Sequence, residues 1–373
     1  MTGKSSARGM TRKKIAVLYP VLMGGGAEAV CAWMLQALQD EYEVTLYSLV
    51  HEDIRKINTY FGTRIPDAGV KVRSVFPKAA TTLAKKFFSR YPCRAYRQKL
   101  LREEFIKDHG AYDLAISAYN EMDMGQPGLQ YLHNTGVVDG GHVCSGGNKA
   151  FKKNRTIANS LHTANNVAER YGVSAKIIFP PVFSGYEPVG WDKKNDSFVC
   201  LGRLVSAKMA HRAINILKKV REGGHEVDLH IVGGRGETAY MKLLEKMRRE
   251  NSGWVFIHRD LERVKLNKLL ENSRYGIHIK PEPFGIVPAE MFMAGVVPFV
   301  RKSQGLLEVV GDREEVLFSN DAEAADKIDE ALSSEENIKK LRRYFEERKS
   351  LFSEKKFCED MKREVKDFFD KKK

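Results

Sequence analysis

The sequence predicts an α/β protein made of two doubly wound domains in tandem. Three observations lead there. The 373 residues exceed one ordinary core and suit two. Short apolar strand-like runs alternate with helix-like runs along most of the chain, the rhythm of parallel sheets covered on both faces. That rhythm pauses once, after Pro180-Pro181, where residues 184–196 are polar and carry glycine and proline, and then restarts. The expected division is a first domain over 1–183, a linker over 184–196, a second domain over 197–350 and a helical tail over 351–373.

The elements follow in order. Residues 15–19 read as a buried strand, followed by a glycine turn and a helix over 27–38. Strands are expected at 44–49, 70–75, 114–117, 129–132 and 156–158. After the pause come a strand at 198–201, a helix over 207–221, a strand at 228–232 and the turn Gly233-Gly234. Helices over 238–249 and 261–271 alternate with strands at 255–258 and 276–280. Two more cycles run through 297–300 and 316–318. Residues 335–373 read as helical, with Leu341, Tyr344, Phe345, Leu351 and Phe352 as packing positions.

Composition narrows the class. Hydrophobic residues make 43% and charged residues 29% of the chain, as in ordinary globular proteins. No apolar run reaches the roughly 18 residues of a membrane span, and the basic start, residues 1–14, precedes too short an apolar run for a secretion signal. Cys31, Cys93, Cys144, Cys200 and Cys358 are odd in number and scattered without a C-x-x-C pair. They point to a reducing, cytoplasmic setting without a disulfide framework or zinc ribbon. The formal net charge of +14 suits anionic partners. Residues 71–102 hold ten Lys or Arg and no Asp or Glu, interleaved with Phe76, Phe87, Phe88, Tyr91 and Tyr96. Such a segment either lies on an anionic membrane surface or is a solvated basic helix with its aromatics turned inward. Pro92 breaks any single long helix there.

Three motifs carry chemistry. Gly24-Gly25-Gly26-Ala27-Glu28-Ala29 follows a strand and opens a helix, a place where backbone amides meet phosphate. Alone it also fits a dinucleotide fingerprint, with Asp53 near the spacing of a ribose carboxylate. Gly202-Arg203, with Lys208 five residues on, places two cations at a strand's carboxyl end, where such sheets bind ligands and where Arg and Lys suit a diphosphate. The third is the string from Lys280 to Glu290, KPEPFGIVPAE. Here a strand ends in a proline and glycine turn and a helix begins near Ile286. The first amides, around Phe284 to Val287, are left without helical partners. Glu282 stands before that helix and Glu290 in its second turn, two carboxylates beside one amide-lined pocket.

Glu282 and Glu290 form E-x7-E, and with Pro283-Phe284-Gly285 this resembles the signature of family 4 of the retaining GT-B glycosyltransferases. The glycine turn, Gly202-Arg203…Lys208, Ile157-Ala158-Asn159-Ser160 and Pro180-Pro181-Val182 match that family as well. The resemblance runs from about Lys14 to Phe318 and is tighter in the second half. It implies a GT-B fold, two Rossmann-like domains facing an interdomain cleft, and transfer of a sugar from a nucleotide-diphosphate donor with retention. It implies that Arg203 and Lys208 hold the diphosphate and that Glu290 takes the ribose hydroxyls. Glu282 would sit by the transferred sugar, near the amides of Phe284, Gly285 and Ile286, while Gly25 and Gly26 let the first domain approach the diphosphate. His133, in Tyr131-Leu132-His133-Asn134, matches a histidine that faces the donor sugar; His142 and His162 receive no role. The chain departs from the family at Ser303-Gln304-Gly305, where a glycine pair is usual, and at residues 311–315.

The expected donor is a UDP-, GDP- or ADP-sugar. The expected acceptor is a glycan or lipid-linked saccharide, reached in the cytoplasm or peripherally at the inner membrane face. No D-x-D triplet offers a diphosphate-bound metal its ligands, so metal-independent transfer without a cofactor is expected. A nicotinamide-dependent oxidoreductase rests on the first glycine turn alone. A basic nucleic-acid or membrane scaffold rests on charge alone, and no nucleic-acid recognition motif is present.

Overall fold

The computed structural model describes residues 12–91, 93–134, 147–234 and 236–371. Pro92, His142, Cys144 and the basic start through residue 11 lie outside the described residues. The chain divides into two compact units. The first comprises Met1–Asn159, Ala164–Ile178 and Phe357–Lys373; the second comprises Ser160–Thr163 and Phe179–Lys356.

In the first unit β1 (Lys14–Leu18) leads to α1 (Gly26–Leu38), β2 (Glu43–Ser48), α2 (Ile54–Phe61) and β3 (Val70–Ser74). Then follow α3 (Thr81–Arg90), α4 (Arg94–Ile106), β4 (Leu114–Ser117) and β5 (Leu129–Leu132). The series closes with α5 (Gly147–Lys153), β6 (Arg155–Ala158), α6 (Leu161–Tyr171) and β7 (Ala175–Ile177). The seven strands pair in parallel in the order β3-β2-β1-β4-β5-β6-β7. Ile15, Ala16, Val17 and Leu18 are all fully buried, because helices cover both faces of a parallel sheet and its central strand reads as an unbroken apolar run.

The second unit repeats the plan. It runs through β8 (Asn195–Leu201), α7 (Ala210–Glu222), β9 (Asp228–Gly233), α8 (Thr238–Glu250), β10 (Val255–Arg259), α9 (Arg263–Asn272) and β11 (Ser273–His278). It continues through α10 (Ile286–Met293), β12 (Val297–Arg301), α11 (Gln304–Val310), β13 (Leu317–Phe318), α12 (Asp321–Leu332) and α13 (Glu335–Phe352). Its six strands are parallel in the order β10-β9-β8-β11-β12-β13. Phe292 of α10 stacks on Phe345 of α13 at 5.5 Å, and Phe352 meets both Phe292 and Phe284. These rings fix α10 from behind and leave its start at the carboxyl edge of the sheet.

The division falls between Ile178 and Phe179, ahead of the polar stretch 184–196. Ile178 is buried in the first core, whereas the Phe179 ring lies against Phe284 and Phe352 in the second. Lys194, inside that stretch, is itself buried. The helical end of the chain is two helices, with a break at Ser353, which forms a bridge with Val182. The last, α14 (Glu354–Asp370), sends Phe357, Met361, Val365, Phe368 and Phe369 into the first core.

Among the described residues no helix is long and apolar enough to cross a membrane. Within residues 71–102, after the end of β3, helices lie on either side of position 92. Phe88 is buried there, but Leu83 is 74% and Phe87 48% exposed, with Tyr91 and Tyr96 also exposed. Lys85 is drawn inward to the buried Glu52 at 2.7 Å.

Glu364 anchors α14 to the first sheet. It is 1% exposed and takes Arg155 at 3.0 Å and Lys176 at 2.6 Å. Removing one member of a buried pair strands the other charges. Glu364→Ala is expected to cost about 3 kcal/mol, the low end of that range because both cations are partly solvated. A urea melt of the variant measures it; an unchanged midpoint would show that α14 is not held by this pair.

Candidate active site

The candidate residues of the second unit gather at the carboxyl edge of its sheet, where β8 and the neighbouring β11 both end. The chain leaves β8 through Gly202, whose φ of +151° suits glycine. Arg203 follows and is exposed. A single turn, Ser206–Lys208, comes next, held by Glu237, which accepts from the Ser206 amide at 3.1 Å. That hydrogen bond, and after it the charge of Arg203, holds the Glu237 carboxyl below its usual range. Lys208 therefore does not open the helix expected over 207–221. Met209, with φ +56°, interrupts the backbone and α7 begins at Ala210.

Across from this turn β11 ends at His278 and leads into the Pro281–Pro283 loop. Lys208 Nζ donates to Glu282 Oε1, and both side chains are only 17% exposed. Glu282 Oε2 lies 3.9 Å from His278 Nε2, which is buried and without a hydrogen-bond partner. Burial, ahead of every other cause, pushes the His278 imidazole down to about 4, so at neutral pH it stands uncharged beside the Lys208–Glu282 pair. The sequence reading passed over His278. Its one signal was the spacing to Glu282, four residues on, beyond the end of an apolar strand.

The loop delivers the chain to α10 with Gly285 at the N-cap. Among the described residues the amides of Phe284, Gly285, Ile286 and Val287 meet no acceptor. Pro288, in the first turn, has no N–H to satisfy. The Phe284 ring is buried, and among the described residues its amide is left without a partner. Gly305 is what lets this loop lie where it does: a methyl there would fall 2.2 Å from Pro283 O and 2.3 Å from Glu282 O. Glu290, in the second turn of α10, accepts from Arg263 Nη1 at 3.1 Å. Arg263 opens α9, lies 4.6 Å over the Phe183 ring, and was not singled out in the sequence.

The far end of α10 is pinned by Lys194. Its ammonium donates to Glu271 O at 2.6 Å, Ala294 O at 3.0 Å and Ser273 O at 3.4 Å. It thereby satisfies terminal carbonyls of α9 and α10, where the helix dipoles favour a cation. Burial, then the charge of Lys349, brings its pKa down to about 8.

The first unit holds the remaining candidates. Gly25 caps α1 and Gly26 begins it. Glu28 folds back so that its carboxylate accepts from the amides of Gly25 and Met23, the latter at 2.9 Å. The protein's own acid thus occupies part of the expected phosphate cradle. Asp53 is spent as the N-cap of α2, accepting from Arg55 N at 3.0 Å, a helix-capping role that accounts for it without a ribose. His133 follows β5. Its Nε2 is 2.9 Å from Ala118 O, its ring is 5.2 Å from that of Tyr131, and burial first, then Arg94, pushes it down to about 4. In the second unit, to which Ser160–Thr163 belong, His162 Nδ1 is 2.6 Å from Gln304 Oε1, while Glu308 accepts from the Leu161 and His162 amides at 2.5 and 2.7 Å.

His133 and His278 set an acid limit. Each titrates near 4 when folded against an ordinary 6.5, so between those values the unfolded chain binds more protons. Stability from these two groups is complete above pH 6.5 and is lost as pH falls towards 4, on the order of 3 kcal/mol each. Urea melts from pH 7.5 to 4.5 are expected to show that decline, and His278→Asn to flatten part of it. A variant whose pH profile matches the parent would contradict the burial argument for His278.

Residues 187–350 match the family described as glycosyl transferases group 1. No curated protein sequence matches the chain. Among solved structures the chain resembles HepE of Anabaena in complex with UDP, with a TM-score of 0.71 at 15% identity over 95% of this chain and 100% of that one. It also resembles WaaG, a glycosyltransferase involved in lipopolysaccharide biosynthesis, with a TM-score of 0.68 at 14% identity over 93% and 99% of the two chains. A pneumococcal O-GlcNAc transferase, GtfA, in complex with UDP and GlcNAc, gives 0.69 at 11% identity over 95% and 99%. The second unit therefore carries a group 1 glycosyl transferase domain, and the chain is an enzyme of the glycosyltransferase class with a GT-B fold.

Proposed function

We propose that the protein is a retaining, family 4 enzyme that takes a sugar from a UDP-linked donor. The acceptor is a hydroxyl of a lipid-linked saccharide or other cell-surface glycan precursor. The observation that carries this reading is the Lys208–Glu282 pair set beside the open amides of residues 284–287, with Arg203 and Glu290 on the same edge of the sheet. UDP is favoured as the nucleotide because the HepE and GtfA structures hold it. The acceptor class is favoured by the likeness to WaaG and by the exposed apolar and basic residues of α3.

In this reading the donor diphosphate takes Lys208 over from Glu282 and adds Arg203. Two cations and the amides at the start of α10 then face the charge that grows on the leaving group, in fixed positions, as electrostatic catalysis requires. Glu282, released, accepts from a hydroxyl of the transferred sugar. Glu290 accepts from the ribose hydroxyls while Arg263 keeps it oriented. The sugar's anomeric C–O bond to UDP breaks as the acceptor oxygen bonds to the same face. The acceptor's proton passes to the leaving phosphate, so no protein nucleophile is needed. His133, uncharged, is a neutral hydrogen-bonding group for the sugar, and Gly25 and Gly26 admit the phosphate once Glu28 turns aside.

A thermal-shift screen with UDP-, GDP- and ADP-sugars, followed by transfer assays, tests this. UDP-sugars are expected to raise the midpoint, and Arg203→Ala and Lys208→Ala each to lower turnover about 100-fold. A chelator is expected to leave turnover intact. Full activity in both variants would reject the phosphate role of the two cations.

Peripheral attachment through α3 has its own measurement. Lys86→Glu with Arg90→Glu should abolish flotation with anionic vesicles, whereas Lys85 is excluded because it is tied to Glu52. Equal flotation of variant and parent would remove membrane contact by this helix from the reading.

A further inference from the structure

We propose that the second unit holds a second ligand site, at the opposite edge of its sheet, for an organic phosphate with an apolar body. A cavity of about 690 Å³ lies there, a size typical of small-molecule pockets. Lys194, just before β8, and Val297, the first residue of β12, both line it. It therefore sits at the amino ends of the strands. The candidate donor residues follow their carboxyl ends, roughly 20 Å away along a seven-residue strand.

The walls divide by chemistry. Phe292, Met293, Val296, Val297 and Phe345 give an apolar floor continuous with the core, and Trp191 gives an aromatic side. The rim is cationic. One face of α13 presents Lys339, Arg342, Arg343 and Lys349 at helical spacing. Of the two lining acids, Glu346 is taken by Lys349 at 2.7 Å, which leaves Glu187. Among the described residues Lys339, Arg342 and Arg343 enter no ion pair.

Arg342 and Arg274 both lie over the same indole, at 4.5 and 5.5 Å from the Trp191 ring. Arg274 has Asp196 at 2.7 Å; Arg342 enters no such close pair, and Asp192 acts on it from further off. Desolvation first, then the charge of Arg274, holds the Arg342 guanidinium below its usual range. Arg342 and Arg343, which both line the cavity, offer guanidiniums that accept a dianion with two-pronged geometry. The floor in front of them suits an alkyl or aryl group. A free phosphate would leave that floor wet, and a neutral amphiphile would leave the cations unanswered.

Trp191 is one of three tryptophans, so its fluorescence reports on the cavity. The full-length protein is titrated with octyl phosphate below its micelle concentration, with inorganic phosphate, with octyl glucoside, and with vesicles containing phosphatidic acid. Octyl phosphate is expected to change the emission and to bind at least tenfold tighter than inorganic phosphate or octyl glucoside. Arg342→Glu with Arg343→Glu is expected to weaken it at least tenfold without changing the circular dichroism. Arg342→Gln with Arg343→Gln repeats the test without charge reversal. Trp191→Phe should abolish the optical signal while calorimetry still detects binding, and Arg203→Ala with Lys208→Ala should retain it. Saturation by dissolved octyl phosphate identifies a free metabolite as the natural ligand type. A Trp191 response to vesicles alone, lost with the arginine changes, identifies a membrane lipid. Binding that survives both arginine double variants, that disappears with the donor-site variant, or that is no tighter than for octyl glucoside would overturn the proposal.

Discussion

A buried ammonium sets the position of the helix at whose start the second unit's candidate residues gather. Lys194 reaches backbone carbonyls at the ends of α9 and α10 and at the start of β11. Leaving such carbonyls unmet in a dry interior would cost more than the hydrogen bonds contribute when made. With its end fixed in this way, and its flank stacked against Phe345 and Phe352, α10 can keep its opposite end unsatisfied. The unmet amides at residues 284–287 are tolerable because the rest of the helix is over-determined.

The charged groups of the candidate residues satisfy one another. Lys208 holds Glu282, Arg263 holds Glu290, and Glu28 bends onto the amides of its own helix start. Each pairing spares a half-buried charge the penalty of standing alone. In the proposed reading each is also made by groups that a nucleotide sugar addresses, so a donor would exchange partners here and expose no bare charge. Affinity for the donor is then a difference between two sets of contacts, and the number of cations near the site overstates it.

Much of this architecture could be read directly from residue order. Residues 15–18 are apolar throughout because both faces of their sheet are covered, and the glycine and proline turns mark the carboxyl ends of β1 and β11. E-x7-E was visible because a loop and the helix after it are neighbours in sequence. What escaped notice depends on distant residues. Lys194 sits in a stretch that looks like a polar linker, and its three acceptors lie about 80 to 100 residues further on. Arg263 is a surface-like cation at a helix start until α10 is folded beside it, and His278 is an ordinary strand residue until Lys208 is brought across. The break at Met209 has no glycine or proline to announce it. The division at Ile178 is decided by which core accepts the Phe179 ring, and local composition does not record that.

The closing helix has a consequence for how the protein comes into being. Phe357, Met361, Val365, Phe368 and Phe369 complete the core of the first unit, yet a ribosome delivers them only after residues 179–356. The earlier strands must wait, with part of their apolar surface uncovered, while residues 179–356 are synthesised and can collapse on their own. The second unit is thus free to mature before the first. Premature termination near residue 350 would harm the half of the molecule that was made earliest, and the waiting intermediate is the form most in need of a chaperone.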